Sequence, residues 1–164
     1  MTANGSAAGS RVYAMAGVLG RAGLGGIFIY MGLSKALDPV SFLKLLRQYD
    51  LTQVPWLLDS VAATLPWFEI FCGVLLVMGV GVRGAALLLA VMLTAFTGVV
   101  LHRALGLHAA LAIPFCAVKF DCGCGSGEVF ICRKLAENLA QLALCVWLLS
   151  GAGSRASLRY RVWQ

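Results

Sequence analysis

Apolar residues fall in four long stretches along the chain, and the polar residues gather in the short connections between them. The first stretch runs from Val12 to about Leu37, the second from Val61 to Val82, the third from Gly84 to Leu101, and the fourth from Arg133 to about Gly153. Each approaches the roughly 20 residues that a helix needs to cross a bilayer. The pattern therefore predicts an all-α fold, a polytopic membrane four-helix bundle.

Punctuation supports these boundaries. Asp38-Pro39 ends the first helix, because proline cannot continue it and restricts the residue before it. Phe42, Leu43, Leu45, Leu46 and Tyr49 then recur at helical spacing, with Lys44, Arg47 and Gln48 opposite, which predicts a short interfacial helix. Val54-Pro55-Trp56 breaks that helix, and Trp56 suits the head-group layer. Gly81, Arg83 and Gly84 predict the turn between spans two and three. His102 and Arg103 close span three, and the apolar segment from Ala104 to Phe120, broken by Pro114, reads as re-entrant or surface-lying. Residues 1–11 are expected to be a disordered, uncleaved tail, because no positive charge precedes a short apolar run with a cleavage site. Residues 12–153 form one transmembrane domain, and residues 154–164 a basic tail suited to anionic lipid.

Composition agrees with the pattern. Only 12% of the 164 residues are charged, half the share usual in soluble domains, and mean hydropathy is +0.87. The net charge of +6 is scattered over every loop, and no basic run alternates with aromatics, which excludes a nucleic-acid groove. Lipid head groups are the expected partner of that charge. With four spans, the cysteine side carries Lys35, Lys44, Arg47, Arg103, Lys119, Arg133 and Lys134. The opposite side carries Arg11, Arg83, Arg155, Arg159 and Arg161. The positive-inside rule leans, seven to five, toward a cytoplasmic cysteine side. That margin is too small to outweigh the oxidising side that the cysteines call for.

The chemistry concentrates between Pro114 and Arg133, in PFCAVKFDCGCGSGEVFICR, which holds Cys116, Cys122, Cys124 and Cys132. Cys122 and Cys124, one residue apart among glycines, can close only a small strained ring, and strained exposed disulfides exchange readily. Cys116 and Cys132 flank the pair as resolving or disulfide partners. Lys119, Arg133 and Lys134 favour thiolates there, whereas Asp121 and Glu128 oppose them. Three readings stand side by side. The loop is a redox-active dithiol exchanging with a partner protein or a quinone, or a structurally stapled loop, or a four-thiolate metal site of Cys116, Cys122, Cys124 and Cys132. Its C-x5-C-x-C-x7-C spacing lacks paired C-x2-C knuckles, which disfavours the metal. An oxidising, extracytoplasmic side suits the first two.

Ionisable residues within the spans form a second cluster of candidates. Lys35, Glu69, the His102/Arg103 pair and Glu137 with Asn138 fall at one depth beneath the cysteine loop, as a functional polar layer or as a structural ion pair such as Lys35 with Glu69. Arg21, roughly 13 Å into the first helix, is expected to snorkel to the nearer head groups, and its neighbouring glycines to serve close packing. Cys72 and Cys145 read as small hydrophobes in the packing.

Three segments carry a family resemblance. GRAGLGGIFIYMGLSKALDP, LPWFEIFCGVLLVMGVGVRGAALLLA and FDCGCG followed by ENLAQLALCVWLL resemble, in order and spacing, the DoxX/MauE family of redox-associated membrane proteins. The resemblance runs from about Arg11 to Ser150. It implies a bacterial inner membrane, cytoplasmic termini, a periplasmic cysteine loop, and disulfide-dependent maturation or sulfur and quinone redox chemistry. By the same resemblance, Lys35, Glu69, Cys122 and Cys124 are the functional set. The loop departs from the MauE-like Cys-Gly-Cys-Phe-Gly by continuing Cys122-Gly123-Cys124-Gly125-Ser126-Gly127. Two functions follow. One is thiol–disulfide or quinone-linked electron transfer to a periplasmic partner through Cys122/Cys124. The other is a non-catalytic accessory subunit of a larger membrane redox complex.

Overall fold

The computed structural model of the chain describes residues 3–49, 54–121 and 127–151, with side chains from Val12 onward. Five helices and one small hairpin make up the described residues. Among the described residues three helices, not the expected four, are long and apolar enough to cross a membrane: α1 (Ala3–Leu37) over Val12–Leu37, α3 (Pro55–Met78) and α4 (Val82–Leu111). The expected fourth span falls short because Arg133, Lys134 and Glu137 lie within it. The protein is thus a multi-pass membrane protein. Between α1 and α3 lies α2 (Pro39–Gln48), and α5 (Ile131–Leu149) ends the described chain.

Local chemistry sets these limits. Asp38 accepts a hydrogen bond from the Ser41 amide at 3.1 Å and N-caps α2, with Pro39 at the first turn. The expected interfacial helix is therefore present, beginning at Pro39. Pro55 likewise opens α3, so the second span begins ahead of the expected Val61 and stops at Met78. Gly79 and Gly81, both left-handed, make the turn into α4, two residues earlier than the predicted Gly81–Gly84 turn. The expected tail is helical backbone from Ala3 onward.

The largest correction concerns α4. His102 and Arg103 do not close it, and the helix continues for 30 residues to Leu111. No glycine, proline or capping residue stands at positions 102–105, so two polar side chains are not enough to stop a helix. The expected re-entrant segment is thus two helical turns of α4, then a 3-10 turn at Phe115–Ala117 and strand β1 (Lys119–Asp121). β1 pairs antiparallel with β2 (Glu128–Phe130), so the fold is mostly helical rather than all-α.

Packing follows small residues, as expected where burying area gives little drive in lipid. α1 runs chiefly against α3, α4 against α5, and α3 against α4. Along the first seam backbones meet: a Cβ on Gly32 would stand 2.6 Å from the Pro66 carbonyl oxygen, and one on Gly73 2.7 Å from that of Gly25. One core cluster gathers Leu24, Phe28, Leu76, Leu89, Leu93 and Leu148 around the free thiols of Cys72 and Cys145. A second, of Val100, Ala104, Val118 and Ile131, ties the hairpin to the bundle end. Arg21 is buried at 7% exposure, its guanidinium packed over Gly79 at the C-terminal end of α3. The side chain stays within the bundle, and its guanidinium reaches the bundle end formed by the α3–α4 turn.

Candidate functional site

One end of the bundle, where α1 and α4 finish and α3 and α5 begin, collects most of the buried charge. Lys35 lies in the last turn of α1 and faces Glu69 of α3. Its ammonium sits 2.6 Å from both carboxylate oxygens, with each side chain 4% exposed. The Phe42 ring of α2 covers the lysine, its centroid 5.7 Å from Nζ. Two charges removed from water hold each other only with such close geometry.

Lys134, counted in the sequence among loop charges, is buried at 3% exposure. It is close enough to Lys35 and Glu69 to feel both charges. Its nearest carboxylate, Glu137, is 3.9 Å away, half-buried, and bonded more closely to Arg133 at 2.9 Å. Spacing could have revealed Lys134: positions 131, 134, 138, 145 and 148 form the inward stripe of α5. Asn138 belongs to that stripe but donates to Thr97 of α4 at 2.9 Å rather than joining the ion pair. His102 is exposed on α4, so it does not enter the layer, and Arg103 is half-buried beside Tyr49. The layer thus unites Lys35 and Glu69 as expected, adds Lys134, and leaves out His102.

Above this layer stands the hairpin. Its register pairs Lys119 with Phe130, Phe120 with Val129 and Asp121 with Glu128. Three attachments fix its base. A disulfide joins Cys116, in the 3-10 turn, to Cys132 in the first turn of α5, with Cα atoms 5.1 Å apart. The Ile131 amide donates to the Val118 carbonyl at 3.1 Å. Tyr49, at the end of α2, donates its hydroxyl to the Asp121 carbonyl at 3.3 Å and sets its ring edge-on to Phe120. Burial, with the Asp121 charge adding, pushes the Tyr49 phenol well above its ordinary value, so it remains a donor. Neither Tyr49 nor the disulfide pairing was legible beforehand, because both depend on how the hairpin folds back.

Cys122 and Cys124 lie outside the described residues, between Asp121 and Gly127. Joined to each other, Cys116 and Cys132 are not thiolate ligands in this state. Among the described residues, no group of three or more His, Cys, Asp or Glu side chains is arranged to hold a metal ion.

Between α2 and the hairpin lies a cleft of about 520 Å³. Ser34 and Lys35 form its floor; Ser41, Phe42, Lys44, Leu45 and Gln48 its α2 wall. Asp38, Asp121 and Gly127 complete the lining. Hydrogen bonds from Ser41, its side chain foremost and its amide second, hold the Asp38 carboxyl below its ordinary value, so it is ionised at neutral pH. This lining of serine, lysine, aspartate and glutamine does not fit the long apolar tail of an isoprenoid quinone.

No curated protein and no solved structure matches the chain. A family model does match, over residues 13–151, which takes in α1 from Tyr13, the polar layer, the disulfide and all of α5. On that match the chain belongs to the MauE family, described as methylamine utilisation protein MauE.

Proposed function

We propose that this MauE-family membrane protein exchanges disulfides with an exported partner through Cys122 and Cys124. In the exchange, a partner thiolate attacks one sulfur of the Cys122–Cys124 disulfide and forms a mixed disulfide. A second partner thiol then resolves it, leaving the partner oxidised and Cys122 and Cys124 as a dithiol; the reverse direction balances equally. α5 is the fourth crossing in this reading, the termini are cytoplasmic, and the hairpin faces the periplasm of a bacterial inner membrane.

The observation that carries the reading is the double anchoring of the hairpin. Tyr49 holds Asp121, and the Cys116–Cys132 disulfide holds the segments on either side of the strands. A loop that exchanges sulfurs with a large partner needs fixed ends and a compliant tip. The sequence places glycine, the residue type with the widest choice of backbone conformation, at 123, 125 and 127. Cys116–Cys132 is then a staple, and Lys35 with Glu69 holds the bundle end beneath it.

The same disulfide favours a second reading, in which the whole loop is a stapled docking element of an accessory subunit. Redox titration separates the two. On the exchange reading, mild thiol buffers reduce Cys122–Cys124 reversibly while Cys116–Cys132 stays oxidised and the bundle folded. Cys122→Ser or Cys124→Ser leaves a lone thiol that attacks a disulfide of the oxidised partner. With no neighbour to resolve the product, it traps a mixed disulfide visible on non-reducing gels. A loop that stays oxidised until the bundle unfolds, with serine variants that trap nothing, would leave the accessory reading in place.

A further inference from the structure

We propose that the cleft between α2 and the hairpin seats an extended, non-acidic, cysteine-bearing segment of the exported partner. This rests on the exchange reading and adds to it where the partner lies. Asp121 and Gly127, the described residues that bracket Cys122–Ser126, both line the cleft. Whatever fills it therefore lies beside the ends of that segment.

The lining selects a polypeptide. A main chain presents a donor and an acceptor at every residue and needs both kinds of partner. Gln48 offers both; Ser41, whose hydroxyl proton goes to Asp38, accepts; Lys44 donates; and Asp38 and Asp121 accept. Phe42 and Leu45 are the apolar part of the lining, a shelf for one side chain rather than for a lipid tail. Lys35 is matched by Glu69, so the charge the lining offers is Lys44 against Asp38 and Asp121, which disfavours an acidic segment. The volume lies within the ordinary range for ligand pockets, about 300–1,000 Å³, enough for a short run of residues but not for a folded domain.

Position selects the aqueous side. The floor is the end of the bundle, and Asp38, Ser41, Lys44, Gln48 and Asp121 are exposed. The exposed apolar residues of this region, Leu37 at 78% and Val40 at 62%, do not line the cleft. Lipid has its own surface on the helix, and the cleft is separate from it.

The test uses the full chain in its native membrane, with the photoreactive probe p-benzoyl-phenylalanine placed at Gln48 inside the cleft or at Val40 outside it. Irradiation from position 48 should yield adducts to an exported polypeptide, mapped by mass spectrometry to within a few residues of a cysteine, at least about tenfold above those from position 40. Adducts from position 48 to lipid alone or to a second copy of this chain, or equal yields from both positions, would overturn the proposal. A second arm fills the cleft with Ser41→Trp and follows the mixed disulfide trapped by Cys122→Ser. Its rate of formation should fall about tenfold while the potential of the wild-type loop pair is unchanged by Ser41→Trp. An unaffected rate overturns the cleft while leaving exchange intact. If no mixed disulfide forms even with Ser41 present, the exchange reading fails, and the contrast between positions 48 and 40 alone decides the cleft.

Discussion

The α1–α3 seam and the α4–α5 seam both bury polar groups inside an apolar bundle, and they treat them in opposite ways. Along α1–α3, glycines bring backbones together at Gly25/Gly73 and Gly32/Pro66, and the buried charges Lys35 and Glu69 face each other across the contact. Along α4–α5, Asn138 finds one partner in Thr97, while its Oδ1 has no hydrogen-bond partner among the described residues. Close backbone approach goes with matched polar groups. At Asn138, in the half that carries the disulfide and the hairpin, the polar match is less complete than at Lys35 and Glu69.

The largest effect should come from uncoupling the ion pair. Glu69→Gln leaves the Lys35 ammonium buried against a neutral amide, at a cost of about 3–5 kcal/mol. Thermal unfolding in detergent should show this loss, and Lys35→Met in the same background should recover part of it. Independent, additive losses would mean the two side chains do not interact, and the contrast between the seams would then fall.

A middle-sized effect tests the backbone contact itself. Gly32→Ala and Gly73→Ala each place a methyl group against a facing carbonyl, and overpacking of this kind costs about 1–3 kcal/mol. Gly98, in α4, has nothing within 4 Å of where its Cβ would stand. Gly98→Ala should be neutral or gain about 0.5–1 kcal/mol from helix propensity. Equal melting shifts at positions 73 and 98 would show that α1 and α3 are not held by close approach.

How much of this could be read from the sequence depended on whether the signal was local. The apolar stretches marked the three long helices α1, α3 and α4. The fourth expected span is α5, a 19-residue helix whose first two turns carry Arg133, Lys134 and Glu137 and which does not join those three. Asp38-Pro39 marked the α1–α2 boundary because capping and proline act on neighbours in the chain. Depth along the helices brought Lys35 and Glu69 together, since antiparallel helices place positions at predictable heights. The end of α4 was misread because charge was taken as a stop signal, whereas helices end where caps and breakers stand. Lys134 was missed because a lysine near a helix start reads as interfacial unless the whole inward stripe is counted. The cleft and the Tyr49 hydrogen bond join residues far apart in sequence, and no periodicity encodes them.

The smallest effect belongs to the other seam, and its sign is the informative part. Thr97 donates its only hydroxyl proton to the Leu93 carbonyl at 2.7 Å, so towards Asn138 it can only accept. That fixes the amide with Nδ2 on Thr97 and Oδ1 turned away, without a hydrogen-bond partner among the described residues, on a residue 1% exposed. Asn138→Leu therefore removes an interhelical hydrogen bond worth about 0.6 kcal/mol together with an unmatched buried acceptor that costs about 1–3 kcal/mol. The melting temperature in detergent should hold or rise. Thr97→Val, by contrast, strips Asn138 of its one acceptor and should lower stability by about 1 kcal/mol, a loss that should vanish when Asn138→Leu is present as well. If Asn138→Leu were as damaging as Glu69→Gln, Oδ1 would have to be held by a bound water or another group inside the bundle. At Asn138 the α4–α5 seam would then be as fully matched as the α1–α3 seam is at Lys35 and Glu69.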